Sequence, residues 1–459
     1  MDVKVSSRPS GVVVPNIVEL KPQVGTFSEG LAAFQAARLR DALAALHGVK
    51  SPFAASLRAR IFLRLGDLKK ALDALAKDVA GAASERGEHG MLRGVALGRL
   101  GNSEAGHREL VDARVFSISS GDSTLEAEVE YYVAYAEFAT GDLDAARKSC
   151  RRALREPTPS SRRIIPMLHV VARIEELLGV IAASAGKYRE NLAHARNALT
   201  TLDSCEIKDV WHEAFAISNL SVLVRDFDLR DDALSVATRT GALAWTPDVA
   251  SKHFTTLDSL AWCAMLRGEE FDALRLFRNA EHAATTVPER VYVSVARAVH
   301  ARSLGRATVA AEETEHALLL ADAFDWNAAA GDSRNALLEL AQAAAVVSPD
   351  RARAVLKRYT SLRSSVPARF ASRLEVRVRA EEAYSEGLVL RAEGQVSASL
   401  DRLASAFRSW NAIGYAWRAA RAALELAELD AGEVFRHAVR HELHVRPHSV
   451  FADRARLVA

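Results

Sequence analysis

Four histidines in the segment HAVRHELHVRPH, near the end of the chain, have a spacing that could bring metal ligands together. His437, His441 and His444 follow one another at i, i+4 and i+7, so a helix would carry their imidazoles on one face. Pro447 should end that helix and leave His448 off its axis. A solvated terminal helix explains the same spacing, and we prefer this interpretation. The sequence therefore predicts no bound metal and no cofactor.

A basic run between positions 351 and 379 could hold nucleic acid or an acidic protein segment. Its basic residues, opposed only by Glu375, are Arg351, Arg353, Lys357, Arg358, Arg363, Arg369, Arg373, Arg377 and Arg379. The whole chain has 60 Lys and Arg against 58 Asp and Glu, so its global charge does not favour nucleic acid. Solvated helix faces commonly produce such runs. We therefore do not expect direct nucleic-acid binding, and it stays an alternative.

No familiar catalytic motif occurs in the chain. The segment GVIAASAGKY, Gly179 to Tyr188, has six residues between its glycines and a Tyr after its Lys, whereas a phosphate-binding loop needs four residues and a Ser or Thr. Neighbouring helix residues do not face one another, so the clustered glutamates lack the geometry for acid–base chemistry. We assign them to helix N-terminal turns or to solvent: Glu126, Glu128, Glu130, Glu175 and Glu176. The sequence predicts a protein that is not an enzyme.

Cysteine use and hydropathy indicate a soluble cytoplasmic protein. Cys150, Cys205 and Cys263 are far apart and form no CxxC pair, so neither a disulfide framework nor a zinc cage is implied. The longest apolar run, Leu177 to Gly186, is far shorter than the roughly 20 residues that cross a bilayer. The N-terminus lacks the basic start and apolar run of a signal peptide. We therefore expect no membrane association.

The elements that would position any site are helices, because one phrase recurs along the chain. LRLGDLKKALDAL, EFATGDLDAARKS and CAMLRGEEFDALRLF each combine a helix, a tight turn and a second helix. The turns centre on Gly66, Gly101, Gly141, Gly186, Asp228, Gly268, Gly305 and Gly394, and from Gly66 to Gly305 they lie about 40 residues apart. Seven residues before each turn stands a small residue: Ala59, Gly94, Ala134, Gly179, Ser221, Ala261, Ala298 and Gly387. Five residues after the turns stand Ala71, Gly106, Ala146, Asn191, Ala233, Ala273, Ala310 and Ser399. Closely packed helices need small side chains where their axes cross, so the pattern predicts helix hairpins.

A helix pair with a turn glycine and small residues at these offsets resembles the tetratricopeptide repeat (TPR), over roughly residues 30 to 438. The resemblance implies an all-α fold, a right-handed solenoid of about ten antiparallel helix hairpins with repeats of about 40 residues. Two less regular hairpins centre near Ala37 and Pro349. We expect a mobile or extended lead-in over 1–27, the repeat array over 28–438, and a C-terminal helix and tail over 439–459. The lengthened repeats are also similar to the sensor arrays of bacterial LuxR-type transcription regulators.

In the TPR family the first helix of each hairpin lines an inner groove, which implies a set of partner-binding positions. The candidates are Tyr131, Tyr135, Phe138, Asn219, Arg225, Asp258, Trp262, Met265, Tyr292, Arg302, Tyr384 and Arg391. We expect a non-enzymatic scaffold that binds a peptide or a partner helix in this groove, as the signal-receiving part of a bacterial regulatory system. The alternative is a small-molecule sensor with a pocket inside the superhelix, for which Trp262, Tyr292 and Arg302 are lining candidates.

Overall fold

The computed structural model describes residues 25–76, 81–154, 164–329, 332–364 and 376–459. Every regular element in these ranges is a helix, and the helices follow one another as hairpins. The predicted all-α, TPR-like solenoid is confirmed. None of the helices built from these ranges combines the length and apolar character that crossing a bilayer requires.

The helices pair in chain order. The first six hairpins are α1 (Phe27–Gln35) with α2 (Leu39–Ala45), α3 (Pro52–Leu65) with α4 (Leu68–Ala76), α5 (Ala83–Arg99) with α6 (Ser103–Ser120), α7 (Ser123–Thr140) with α8 (Leu143–Ala153), α9 (Met167–Ser184) with α10 (Tyr188–Asp203), and α11 (Val210–Phe227) with α12 (Arg230–Ala242). The later hairpins are α13 (Ala250–Arg267) with α14 (Glu270–Ala283), α15 (Val287–Ser303) with α16 (Ala307–Asp322), α17 (Ala336–Ala345) with α18 (Pro349–Ser364), α19 (Val376–Ala392) with α20 (Val396–Ile413), and α21 (Ala416–Glu428) with α22 (Glu433–Val445). A short helix, α23 (Ala452–Val458), ends the chain, and 3₁₀ turns cover Pro247–Val249 and Asp332–Asn335.

The eight predicted turns have the backbone conformation that their residues favour. All eight central residues have positive φ, from 52° at Asp228 to 93° at Gly141. This left-handed region favours glycine, and Asp is one of the few other residues that enter it at low cost. Asp142 then caps α8 by accepting a hydrogen bond from Ala145 N at 2.9 Å. The predicted positions of the turns are confirmed.

The small residues beside the turns lie where the two helices of a hairpin touch. The eight small residues that stand seven positions before a turn are all buried. Of the eight residues that stand five positions after a turn, seven are buried, and the exception is Asn191. A Cβ added to Gly94 would lie 2.8 Å from Leu110 Cγ and 2.9 Å from Gly106 O. Such distances leave no room for a methyl group. The small residues are therefore a requirement of helix crossing, as predicted.

The first helices of the hairpins form the inner layer of the superhelix. They contact one another in succession, with α3 against α5, α5 against α7, α7 against α9, α11 against α13, α13 against α15, α15 against α17, and α17 against α19. The second helices cover them from outside. The candidate groove residues lie on the first helices, so the inner layer decides which of them are accessible.

The C-terminal hairpin closes the inner layer on itself. The α21 helix contacts α11, where Trp417 Nε1 donates a hydrogen bond to Arg225 O at 2.9 Å. The Trp417 ring, which is 1% exposed, stacks on Trp262 with 5.8 Å between ring centroids. Val450 N also donates to Met265 O at 3.1 Å. We call the resulting ring of α11, α13, α15, α17, α19 and α21 the C-terminal ring.

The N-terminal half has a filled interior with a buried ionic cluster. Arg60 lies between Glu88 and Glu128, and the three side chains are 6%, 4% and 2% exposed. Arg173 Nη1 also donates to Glu128, at 3.2 Å. The sequence interpretation of Glu128 as a solvent or helix-terminus residue is wrong, because helices close in space, but distant in sequence, bring cations to it. Glu130 is likewise buried and pairs with arginines of α6 and α8.

The described part of the chain is helical close to both of its limits. Residues 1–24 of the expected lead-in lie outside the described residues, and α1 begins at Phe27. The expected C-terminal segment, 439–459, begins inside α22 and contains α23. These domain boundaries stay predictions.

Candidate functional site

The C-terminal ring encloses a cavity of about 420 Å³, which we call the lumen. Side chains from α9, α10, α11, α13, α15, α17, α19 and α21 line it. Its charged lining residues are Glu176, Arg225, Asp226, Lys252, Asp258, Glu289, Glu339, Arg377, Glu381 and Arg418. A charged cavity inside a helical array is unusual, because burying charge without a partner is costly.

Four of the candidate groove residues line the lumen. They are Asn219 and Arg225 on α11, Asp258 on α13 and Tyr292 on α15. These four candidates, chosen from the sequence on the first helices, therefore converge on one cavity. Their role in binding stays a prediction.

Three other candidates are core residues. Trp262, Met265 and Tyr384 are 5%, 1% and 3% exposed. Ring closure explains the burial of Trp262, which packs against Trp417 of α21. Tyr384 packs instead within its own hairpin, against Trp410 of α20, with 5.2 Å between the ring centroids. These side chains are not available to a partner in a groove.

The three aromatic candidates on α7 belong to the N-terminal half. Tyr131 and Phe138 pack beside its core, and Arg173 Cζ lies 4.2 Å above the centroid of the Tyr131 ring. Tyr135 is 46% exposed and does not line the lumen. Two of the three α7 candidates, Tyr131 and Phe138, therefore serve packing.

The last two arginine candidates have intramolecular partners outside the lumen. Arg302 is half-buried, and its Nη2 donates to Ala343 O at 3.4 Å. Arg391 on α19 pairs with Glu425 and Glu428 on α21. The Arg391 pairs connect two helices of the ring, so this side chain contributes to ring closure.

Arginines of the basic run form ion pairs within the protein. In the basic run, Arg351, Arg353, Arg358 and Arg363 all pair with carboxylates of neighbouring helices. Arg369 and Arg373 lie outside the described residues. The pairing reduces the charge that the described part of the run offers to nucleic acid.

The candidate metal ligands lie on the solvent side of the molecule. His437, His441 and His444 are exposed on α22, and His448 is exposed after it. Within the described ranges, no group of three or more His, Cys, Asp or Glu side chains is arranged to hold a metal ion.

A network of ion pairs crosses the lumen wall. Arg225 Nε donates to Asp226 Oδ1 at 3.2 Å, and Arg225 Nη1 donates to Asp258 Oδ2 at 3.5 Å. Arg418 of α21 reaches the same Asp226 oxygen at 3.2 Å and Glu381 Oε2 at 2.7 Å. Burial alone would raise the pKa of Asp226, but Arg225 and Arg418 lower it below the ordinary value. The network couples ring closure to the charge state of the lumen.

Three lumen carboxyls have raised pKa values. Burial raises the pKa of Asp258 to about 6, against the opposing charges of Arg225 and Arg418. Burial, together with the negative charge of Glu381, raises the pKa of Glu339 to about 7. Raised values mean that the site does not fully stabilise ionised carboxylates.

The third raised pKa is that of Glu176, which lines the lumen together with Asn219. Burial raises the pKa of Glu176 to about 7, although Asn219 Nδ2 donates to Glu176 Oε1 at 2.9 Å. Sequence reasoning found Asn219 but assigned Glu176 to solvent or a helix terminus. Perturbed carboxyls in a cavity are typical of functional sites.

Sequence reasoning did not find Asp226, Glu339, Glu381 or Arg418. Arg418 lies 192 residues from its partner Asp226, so no local spacing indicates the pair. The available signal is a charged residue with apolar residues on both sides, as Arg418 has in AWRAARAALELAE.

These features define the chain as a TPR-like helical-repeat protein whose C-terminal hairpins enclose a polar lumen.

No protein-family model matches the chain, and neither does any curated protein. The chain is similar to the solved structure of a Rap protein complexed with competence and sporulation factor, at 14% identity and a TM-score of 0.40, over 75% of this chain and 98% of that chain. It is similar to aspartyl phosphate phosphatase F from Bacillus subtilis at 10% identity and a TM-score of 0.41, over 78% of this chain and 96% of that one. It is similar to a monomeric mutant of IFIT1 with Gppp-AAAA at 11% identity and a TM-score of 0.44, over 94% of this chain and 95% of that one.

Proposed function

We propose that the chain is a non-enzymatic receptor scaffold that binds a short peptide segment or a small molecule in the lumen. The observation that carries this proposal is the convergence of Asn219, Arg225, Asp258 and Tyr292 on one cavity inside the ring. A few polar groups that converge in a partly apolar cavity are typical of ligand sites. In this proposal the receptor is cytoplasmic and forms the signal-receiving part of a bacterial regulatory system.

The size of the lumen favours a small ligand over a partner helix. Ligand cavities commonly measure about 300–1,000 Å³, and the lumen measures about 420 Å³. One turn of an α-helix is a cylinder about 10 Å wide and 5.4 Å long, or roughly 400 Å³. A partner helix could therefore place only one turn in the lumen, whereas a small molecule or a few peptide residues would fill it.

The ring offers a route from ligand binding to a signal. The lumen wall includes Asp226 and Arg418, which also join α11 to α21. A ligand that changes this ion pair changes the stability of ring closure, and a conformational response needs such a difference in binding free energy. The outer face of α21 and α22 would then present the altered surface to a downstream protein.

A lumen-filling variant tests the proposal. Val180 lines the lumen and is 40% exposed, so Val180→Trp adds volume there without disturbing the core. Val115, in the middle of α6 and 63% exposed, provides the control Val115→Trp outside the lumen. Thermal melting of both variants and the parent chain would be measured with a panel of short peptides, amines, carboxylates and phosphates.

We expect at least one compound to raise the melting temperature of the parent chain and of Val115→Trp but not of Val180→Trp. A ligand present at about 100 times its Kd stabilises a protein by about 2.7 kcal/mol, which a melting curve resolves. Mass spectrometry should recover the compound unchanged, as expected for a receptor without catalysis. Compounds that stabilise all three proteins alike would place binding elsewhere and refute the lumen as the site.

A further inference from the structure

The charges around the lumen do not balance. Six carboxyl groups and four cations line it. The cations are already engaged: Arg225 and Arg418 by carboxylates, and Lys252 by the Phe215 ring, with 4.2 Å between Lys252 Nζ and the ring centroid. Arg377 has interaction partners as well. The lumen therefore has an excess of negative charge and no cation to spare for it.

Two of the carboxyl groups keep unused hydrogen-bond capacity. Asp258 is 6% exposed, and its Oδ1 is buried without a hydrogen-bond donor among the described residues. Glu339, half-buried on α17, makes neither a hydrogen bond nor an ion pair within the described ranges. Both carboxyls line the lumen, and burial together with the negative charges of Glu381 and Asp258 raises the pKa of Glu339. A buried acceptor without a donor is costly, so a native structure that keeps one usually has a use for it.

We propose that the lumen binds an organic cation with N–H donors, an alkylammonium or a guanidinium group, between Asp258 and Glu339. This inference rests on the proposed function and names the chemical class of its ligand. The cation would donate to the free Asp258 oxygen and to Glu339, and its charge would relieve the repulsion between them. Charge-assisted hydrogen bonds of this kind are among the strongest in proteins.

The neighbouring side chains fit the apolar part of such a ligand. Phe254 on α13 and Tyr292 on α15 line the lumen beside the carboxyls. Aromatic rings attract organic cations and also pack against the alkyl chains that carry them. The described residues offer no third carboxylate, histidine or cysteine arranged with these two to complete a metal site, so N–H donors suit the pair better.

The ligand chemistry has two sources, a free amine or an arginine side chain of a peptide. Isothermal titration calorimetry at pH 8 would use agmatine for the first and an acetylated, amidated Gly-Gly-Arg-Gly-Gly peptide for the second. Choline provides a cation of similar charge without N–H donors. We expect saturable binding of agmatine, of the peptide, or of both, and at least about tenfold weaker binding of choline, because choline cannot satisfy the Asp258 oxygen.

Two variants identify the carboxyls. Asp258→Asn and Glu339→Gln should each weaken binding by about tenfold or more, since each removes a charge that contacts the cation. Asp258 also pairs with Arg225, so Asp258→Asn could unfold the ring. Glu339→Gln then carries the test, because Glu339 has no ion-pair partner to lose within the described ranges. Glu126→Gln, at an exposed position on α7, is the matched control and should bind like the parent chain.

Lower pH should weaken binding. The pKa values of Asp258 and Glu339 are raised to about 6 and about 7, so both carboxyls lose charge between pH 8 and pH 5. The other charged groups that face them are Arg225, Arg418 and Glu381. Protonation of the two carboxyls leaves the arginines in excess and repels the ligand.

The outcomes separate this inference from the proposed function. Binding of agmatine or peptide that Glu339→Gln weakens supports the inference, and the bound probe identifies the source. Binding that Val180→Trp abolishes but Glu339→Gln leaves unchanged would keep the lumen as a ligand site and overturn the cation assignment. The assignment is also overturned if neither probe binds while an anionic or neutral compound binds in the lumen. If no compound of any class responds to Val180→Trp, the proposed function itself fails.

Discussion

Replacing Arg60 by Met should destabilise the N-terminal half strongly and locally. Arg60 donates to Glu88 Oε1 at 3.1 and 2.8 Å and to the two Glu128 oxygens at 2.6 and 2.7 Å. Methionine keeps much of the side-chain volume but removes the charge and all donors. Two buried carboxylates, Glu88 and Glu128, then lose the charge of Arg60, while Arg173 still donates to Glu128.

The size of the effect follows from burial. Removing one member of a buried ion pair costs about 3–5 kcal/mol, because the other charge stays desolvated. Arg173 still reaches Glu128, so we place the effect of Arg60→Met near the lower limit, about 3 kcal/mol. One pKa unit, or a factor of ten in an equilibrium constant, corresponds to about 1.4 kcal/mol. The local opening of α3, α5 and α7 should therefore become about 10²-fold more populated.

Hydrogen exchange measured by mass spectrometry is the suitable assay, because repeat proteins open locally and a single melting temperature averages over the array. Exchange in α3, α5 and α7 should accelerate about 10²-fold, while α21 and α22 change little. The double variant Arg60→Met with Glu88→Gln should recover part of the loss, since one stranded charge is gone.

An exposed arginine pair provides the control. Arg196 donates to both Asp232 oxygens at 3.0 and 2.6 Å, a geometry as good as that of Arg60, but the side chains are 47% and 21% exposed. Arg196→Met should cost at most about 1 kcal/mol. If Arg60→Met accelerates exchange no more than Arg196→Met does, burial does not set the strength of these pairs, and our reasoning is refuted.

Three further predictions follow from packing and ionisation. Gly94→Ala should destabilise its hairpin by about 1–3 kcal/mol in thermal melts. Gly98→Ala in the same helix has open space around the added Cβ and should stabilise the hairpin by up to about 1 kcal/mol. Equal effects of the two substitutions would contradict the close helix crossing at Gly94. The pKa of Glu339 rises from 4.5 to about 7 on folding, so its folded state binds the proton more tightly, and stability falls as pH rises through this window. Glu339→Gln should therefore stabilise the chain by about 3 kcal/mol at pH 8 and little at pH 5, while exposed Glu126→Gln changes little at either pH. Trp417→Ala should cost about 3–5 kcal/mol and accelerate hydrogen exchange in α11 and α21 together; acceleration in α21 alone would show that the ring is not closed there.

The sequence predicts the hairpins well because their determinants are local. A turn glycine such as Gly141 and a crossing residue such as Ala134 lie seven positions apart, and both act within one hairpin. Their physical requirements, a left-handed backbone and contact between helix axes, leave little choice of residue type. Repetition of the same requirement along the chain then makes the pattern visible in a single sequence.

Ring closure could not be predicted in this way. Trp417 and Arg225 are 192 residues apart, and an apolar residue on a helix indicates burial without indicating its partner. The same limit applies to Trp262, which the sequence predicts as a groove residue. Residues on a helix face that lines a groove have the same spacing as residues on a face that packs against another helix. The sequence predicts the place of Asp258 on an inner helix, because local spacing sets that place. Whether its Oδ1 has a hydrogen-bond donor depends on the other helices of the ring, which the sequence does not reveal.

The two halves of the array treat buried charge differently, and this contrast supports a ligand in the lumen. In the N-terminal half Arg60 pairs with both Glu88 and Glu128. In the C-terminal ring, the buried Asp258 Oδ1 has no hydrogen-bond donor among the described residues, and burial raises the pKa values of both Asp258 and Glu339. A chain that can supply an arginine to one pair of carboxylates could supply one to another, so folding alone does not explain the difference. A cation that enters from outside does, because it would satisfy both carboxyls only when it is present.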